Sequence, residues 1–213
     1  MNHTGPVSPG AATAAAAPHT VEFLRRLYPG EDPDRAAWGV RIDGTDLRTL
    51  VAEATRAGWS QEWDTSEEPP DGREAYLMTQ HAPLVMDDDA HARRHFLGDP
   101  DPERREPGTG SMALLGCICG TDECWPMMAT VTLTQDTVTW SGFHQPYRPE
   151  WGTLALGPYV FPRPAYEQAL AAPVRLPGRG RLSISDDYSD EHADDHVDDH
   201  ADGASAEASG ETP

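Results

Sequence analysis

The stretch MMATVTLTQDTVTWSGF, residues 127–143, indicates the fold most clearly, because its pattern is that of a β-hairpin. Apolar residues alternate with threonine along both arms, as expected for strands with one buried face. A short turn between the arms places Leu133 opposite Val138 and Val131 opposite Trp140. One face of the hairpin is then wholly apolar, which predicts a core packed against it.

Outward from the hairpin, the chain predicts both helices and strands. Apolar and polar residues alternate in some segments and recur at helical spacing in others. Residues 75–86 are apolar but do not distinguish a strand from a helix. Strands are expected at 38–44 and 111–116, and helices at 21–28, 45–58, 87–98 and 163–172. These elements predict an α+β fold, a single small domain with one antiparallel sheet.

Four positions add detail to the predicted helices. Thr45 is a candidate N-cap of the helix over 45–58, and Gly58 is expected at its C-terminal end. The histidines of HARRH, His91 and His95, are four residues apart on one helix face. That spacing can bind a metal, but no glutamate follows the first histidine as in metalloproteases, so an exposed polar face is the simpler interpretation.

Both ends of the chain have the composition of disordered segments. Residues 1–19 are rich in Ala, Pro, Gly, Ser and Thr, and residues 173–213 form an acidic tail rich in His and Asp. The folded domain is therefore expected over residues 20–172. Three histidines of the tail are spaced four residues apart, and they either chelate Ni²⁺ or Zn²⁺ weakly or simply accompany a solubilising acidic segment: His192, His196 and His200.

Charge and hydropathy bound the function. The formal net charge is −20 at pH 7, which argues against sequence-independent binding of nucleic acid. No apolar run reaches the roughly 18 residues of a membrane span. The N-terminus lacks the basic region of a secretory signal, and the three cysteines are too few for a complete disulfide framework. We therefore expect reduced thiols in a cytoplasmic protein.

All three cysteines lie in GCICGTDECWPM, residues 116–127. Zinc is bound by thiolates and imidazoles, and the glycine after Cys119 allows three sulfurs to converge on one ion. The predicted hairpin register brings Met127 opposite His144, which is the candidate for the fourth ligand. The hypothesis is thus a zinc site of Cys117, Cys119, Cys124 and His144.

Two alternatives to a zinc site stay open. The cysteines can be small hydrophobic residues in a glycine-containing turn, with His144 hydrogen-bonded at the edge of the core. A reactive thiol, Cys119 or Cys124 with His144 as base, is the other. The acidic neighbours Asp122 and Glu123 disfavour it, because negative charge raises the pKa of a thiol.

The segments LLGCICGTDECWPM, VTWSGFHQPYRPEW, LGPYVF and YEQAL follow one another in this order. Together they resemble a family of uncharacterised bacterial proteins with a C-x-C-G-x₃-C-W-P motif, over roughly residues 112–171. Members often carry histidine where this chain has Tyr147. The resemblance implies a shared domain and carries no activity.

Aromatic and arginine side chains are concentrated in the same half of the chain. They are candidates for a ligand or partner surface, although packing in the core would also account for them. The candidates are Trp125, Trp140, Tyr147, Arg148, Trp151 and Arg163.

Three functional hypotheses follow from these features. The first is a non-enzymatic binding domain with a protein or small-molecule partner, stabilised by zinc at the cysteines. The second is an enzyme whose Cys/His site uses Arg148 and Arg163 to hold an anionic substrate. The third is a metal-handling protein that uses its histidine-rich tail.

Overall fold

The computed structural model describes residues 17–27, 34–106, 108–119 and 124–177. Within these residues the fold is α+β, as the sequence predicts, but the helices lie against two mostly antiparallel sheets rather than the single sheet expected. The strands are β1 Val21–Leu27, β2 Ala36–Ile42, β3 Thr45–Asp46, β4 His81–Ala82, β5 Leu84–Met86, β6 Ser111–Cys117, β7 Met127–Leu133, β8 Thr137–His144, β9 Tyr159–Pro162 and β10 Val174–Leu176. The helices are α1 Leu47–Thr65, α2 Arg73–Met78, α3 Asp89–Phe96 and α4 Arg163–Ala171.

The predicted hairpin forms the centre of one sheet, whose strand order is β4-β6-β7-β8-β9. Its register is confirmed, with Leu133 opposite Val138 and Val131 opposite Trp140. Further along, an irregularity between Met128 and Thr130 shifts the pairing by one residue. Met128, rather than Met127, therefore lies opposite His144.

The other sheet has the order β10-β1-β2-β3, and β5 also pairs with β2. The helix predicted over residues 21–28 is wrong, because β1 pairs with β2 along its whole length. Leu24 and Arg25 are both buried, on opposite faces of the strand. Seven residues are too few for apolar spacing to separate a helix from a strand buried on both faces.

Both predicted domain boundaries move outward. Strand β10 lies beyond the expected boundary at residue 172 and pairs in parallel with β1. At the other end, His19 donates its backbone N–H to Val160 and pairs through its ring with Asp43 at 2.6 Å. Backbone pairing at a sheet edge thus extends the fold past its most apolar part. The predicted disorder of residues 1–16 and 178–213 concerns residues outside those described.

The ambiguous segment 75–86 joins the two sheets. It completes α2 and then forms β4, which pairs with β6, and β5, which pairs with β2. Only Pro83 separates the two short strands. This change of sheet within six residues explains why no single periodicity runs through the segment.

Helix α3 confirms the predicted helix over 87–98, with Asp88 accepting a hydrogen bond from the His91 backbone N–H as its N-cap. Its histidines are not an exposed face, because His91 and His95 are both buried. His95 bonds the carbonyl of Ala113 at 2.7 Å, so it attaches α3 to β6. Helix α4 is confirmed at its predicted position.

Helix α1 is longer than expected. Its N-cap is Asp46, whose carboxylate accepts from the Arg48 backbone N–H, and not Thr45. The helix does not end at Gly58 but continues to Thr65. Gly58 is instead a close-packing position, because a Cβ there would lie 2.6 Å from the ring of Trp151. The absence of a side chain lets this ring lie directly on the helix.

Gly58→Ala is therefore expected to lower the free energy of unfolding by about 1–3 kcal/mol, as overpacking does. Helix propensity alone would instead raise it by about 1 kcal/mol. Urea unfolding measures the difference, and Gln61→Ala, at an exposed position of the same helix, should change stability by less than about 0.5 kcal/mol. A stabilised Gly58→Ala protein would contradict the packing of Trp151 on α1.

Candidate metal centre

The three thiols converge where β6 ends. Cys117 is the last residue of that strand and is buried, whereas Cys119 and Cys124 are exposed on either side of residues outside those described. All three Sγ atoms lie within 4.8 Å of one another. The cysteine segment thus brings its sulfurs together, as its spacing predicts.

The separation of these sulfurs suits one metal ion. Zinc holds thiolates at about 2.3 Å, which puts two sulfurs of a tetrahedral site about 3.8 Å apart. The observed limit of 4.8 Å requires only small side-chain rotations to reach that value. Because soft thiolates favour zinc and similar ions over magnesium or calcium, the donor set also indicates the class of metal.

Without a metal, Cys117 is held as a neutral thiol. Burial, with smaller contributions from the side chains of Cys119 and Cys124, raises its pKa to about 12. One interaction opposes this effect: the backbone N–H of Cys119 lies 3.4 Å from the Cys117 sulfur and donates toward it. A hydrogen bond of this kind favours the thiolate, which is the form that binds a metal.

His144 is engaged elsewhere. Its Nε2 lies 3.0 Å from a carboxylate oxygen of Glu106, and its Nδ1 lies 2.9 Å from the carbonyl oxygen of Gly142. The group of mutually close ligand atoms contains the three cysteines and not this histidine. His144, the fourth ligand expected from the sequence, therefore pairs with Glu106 in a partly buried contact, and it lies beyond the one-residue shift in the hairpin register.

A different histidine lies beside the cysteines. His81 of β4 is the direct cross-strand partner of Cys117 in β6. Its side chain is buried, and its Nδ1 has no hydrogen-bond partner. Burial lowers the pKa of His81 to about 4, and backbone groups of Gly116 and Trp125 offset only part of this effect. The sequence alone did not indicate His81 as a site residue, because a two-residue strand has no periodicity of its own.

Trp125 anchors the cysteine segment to helix α1. Its ring lies 5.8 Å from that of Trp59, in a second hydrophobic cluster with Trp63, Leu77 and Trp151. Trp125, which directly follows Cys124, thus packs against a helix that is about 60 residues away in sequence.

Arg148 belongs to this cluster. Its guanidinium lies 4.8 Å from the ring centre of Trp125 and 5.8 Å from that of Trp59. Its Nε donates to Glu62 at 2.6 Å. Arg148 therefore joins the loop after β8 to α1 through stacking and an ion pair. Its positive charge is balanced by the carboxylate of Glu62.

The other residues of the predicted surface separate in the fold. Trp140 is fully buried in the main core, so it is not part of any surface. Arg163 lies at the turn end of the hairpin, where it bonds Glu167 and the carbonyl of Thr134. Tyr147 is 53% exposed and stacks on Trp125. The predicted patch reduces to Tyr147 with Trp125, Arg148 and Trp151.

A cavity of about 390 Å³ opens next to this patch. Its lining includes Tyr147, Pro126 and the chain from Pro102 to Glu106. Its volume lies within the range of small-molecule sites. One of its lining residues, Pro126, follows the third cysteine by two positions in the chain.

No family model matches the chain, and no curated protein or solved structure matches it either. The resemblance based on the cysteine motif therefore stays a prediction. The tail histidines His192, His196 and His200 lie outside the described residues. In the part of the chain that the structure describes, no helix is both long enough and apolar enough to cross a bilayer.

The burial of Cys117 predicts unequal thiol reactivity. In the metal-free protein at pH 8, iodoacetamide should modify Cys117 at least about tenfold more slowly than Cys119 or Cys124, since only thiolates react and this one is buried. Peptide mass spectrometry over time measures each rate. In denaturant the three rates should become similar. Equal rates in the native protein would show that Cys117 is accessible.

Proposed function

We propose that this chain is a non-enzymatic binding domain stabilised by a zinc ion at Cys117, Cys119 and Cys124. The observation that supports it most directly is the mutual approach of all three sulfurs to within 4.8 Å. Cysteines that served only as small apolar residues would have no reason to be exposed, yet Cys119 and Cys124 are.

The surroundings of the thiols favour a structural site over a catalytic one. Arg148 and Arg163, which the enzymatic hypothesis assigns to an anionic substrate, are paired with Glu62 and Glu167. Cys117 is protonated near neutral pH, and the imidazole of His144 is bonded to Glu106. A nucleophile needs a base within hydrogen-bond reach, and His144 does not provide one.

The cavity beside Tyr147 is the binding site that we propose for a ligand or partner. An exposed tyrosine stacked on a second aromatic ring offers a flat apolar surface at small entropic cost. Glu106 and Arg105 add both signs of charge to the same cavity. Because Tyr147 stacks on Trp125, which follows the third cysteine, the position of this surface depends on the conformation of the cysteine segment.

Removing one ligand tests the metal. Cys119→Ser should lose most of its zinc and lower the melting temperature by on the order of 10 °C when free zinc exceeds the dissociation constant about 1,000-fold, a stabilisation of about 4 kcal/mol. Differential scanning fluorimetry with and without a chelator measures it.

The same variant provides its own control. With chelator present, wild type and Cys119→Ser should melt at nearly the same temperature, because the side chain of Cys119 is exposed and a serine hydroxyl can still hydrogen-bond with the thiol of Cys117. If the chelator leaves the wild-type melting temperature unchanged, the thiols do not hold a stabilising ion.

Fragment screening by ligand-observed NMR tests the cavity. Aromatic fragments should bind the wild-type protein, and Tyr147→Ala should abolish most of this binding without changing zinc content. Val160→Ala is the matched control, since Val160 is also an exposed apolar residue but belongs to β9. Binding that is insensitive to Tyr147→Ala would place the site elsewhere.

A further inference from the structure

We propose that the Nδ1 atom of His81 is the fourth ligand of the metal held by the three cysteines. The proposal rests on the zinc site proposed above and deepens it, because it changes a three-sulfur set into a closed Cys₃His centre. It also replaces the histidine that the sequence alone favours.

Strand pairing places His81 where a fourth ligand is needed. It lies directly opposite Cys117 in the antiparallel pair of β4 and β6. Side chains of directly opposed residues project from the same face of a sheet, with Cβ atoms about 4.5–5.5 Å apart. His81 and Cys117 therefore project side by side toward the same space.

The ring of His81 is buried without a complete set of partners. The residue is only 7% exposed, and its Nδ1 neither donates nor accepts a hydrogen bond within the described structure. A buried polar nitrogen left without a partner is costly. A metal ion that accepted the lone pair of this nitrogen would remove this cost.

The backbone around His81 connects it to the same segment. Backbone groups of Gly116 and Trp125 interact with its ring, and these residues adjoin Cys117 and Cys124. A ligating imidazole commonly donates its other ring N–H to an acceptor such as a backbone carbonyl, and this bond fixes the orientation of the ring. His144 has no comparable freedom, since Glu106 and Gly142 already occupy both of its nitrogens.

Ligation requires a movement, since the imidazole lies beside the group of close sulfurs rather than within it. The site closes when the side chain of His81 rotates and the exposed side chains of Cys119 and Cys124 rotate with it. Once closed, the ion would attach β4 to the end of β6. Because β4 leads directly into β5, the ion would also reinforce the connection between the two sheets.

Zinc X-ray absorption spectroscopy of the full chain tests the ligand set, because it counts sulfurs and recognises the scattering of an imidazole ring. The wild-type spectrum should fit three sulfurs and one imidazole. His81→Gln should lose the imidazole signal and bind zinc at least about tenfold more weakly in competition with a chelating dye, given that loss of outer partners alone costs 10–100-fold. His144→Gln, the matched control, should keep both the spectrum and the affinity.

His81→Cys covers the case in which His81→Gln does not fold. If the side chain at position 81 faces the ion, this variant should bind zinc with four sulfurs. The fourth sulfur would come from position 81, because no other residue is substituted. Three sulfurs in His81→Cys, or an imidazole signal that His144→Gln removes, would overturn the assignment while leaving the three-cysteine site intact. A wild-type protein that binds no zinc would instead overturn the proposed function together with it.

Discussion

The structure depends on the burial of strand β6. Every residue from Ser111 to Cys117 is buried, and the strand pairs with β7 on one side and with β4 on the other. His95 of α3 adds a hydrogen bond to Ala113 of the same strand. A strand enclosed in this way fixes where its last side chain lies, and that side chain is the thiol of Cys117.

Fixing Cys117 determines the arrangement around it. The two exposed cysteines are the adaptable members of the group, while the strand end and the neighbouring His81 are held by backbone pairing. Such a combination of one buried and two exposed thiols is compatible with a site that closes when an ion binds. Next to the three cysteines, Trp125 packs against Trp59 of helix α1 and Arg148 stacks on Trp125, so the cysteine segment is attached to that helix.

Much of the fold could be predicted where a local pattern was long. The hairpin alternates over both arms, and its register between Val131 and Trp140 follows from the requirement for one apolar face. What could not be predicted depends on distant partners. Strand β1 has the spacing of a helix until β2 pairs with it, and Gly58 resembles a helix end until Trp151 lies on it. The proximity of the three sulfurs was predictable because they are close in sequence. His81 was not, because its pairing with Cys117 joins residues 36 positions apart through a strand of two residues.

Native mass spectrometry of the untagged protein, purified without a chelator, tests the central claim most directly. We expect one zinc ion per chain, retained in the folded charge states and lost when the protein is denatured. A mass equal to that of the chain alone, or one reduced by two hydrogens as for a disulfide between two of the cysteines, would contradict it.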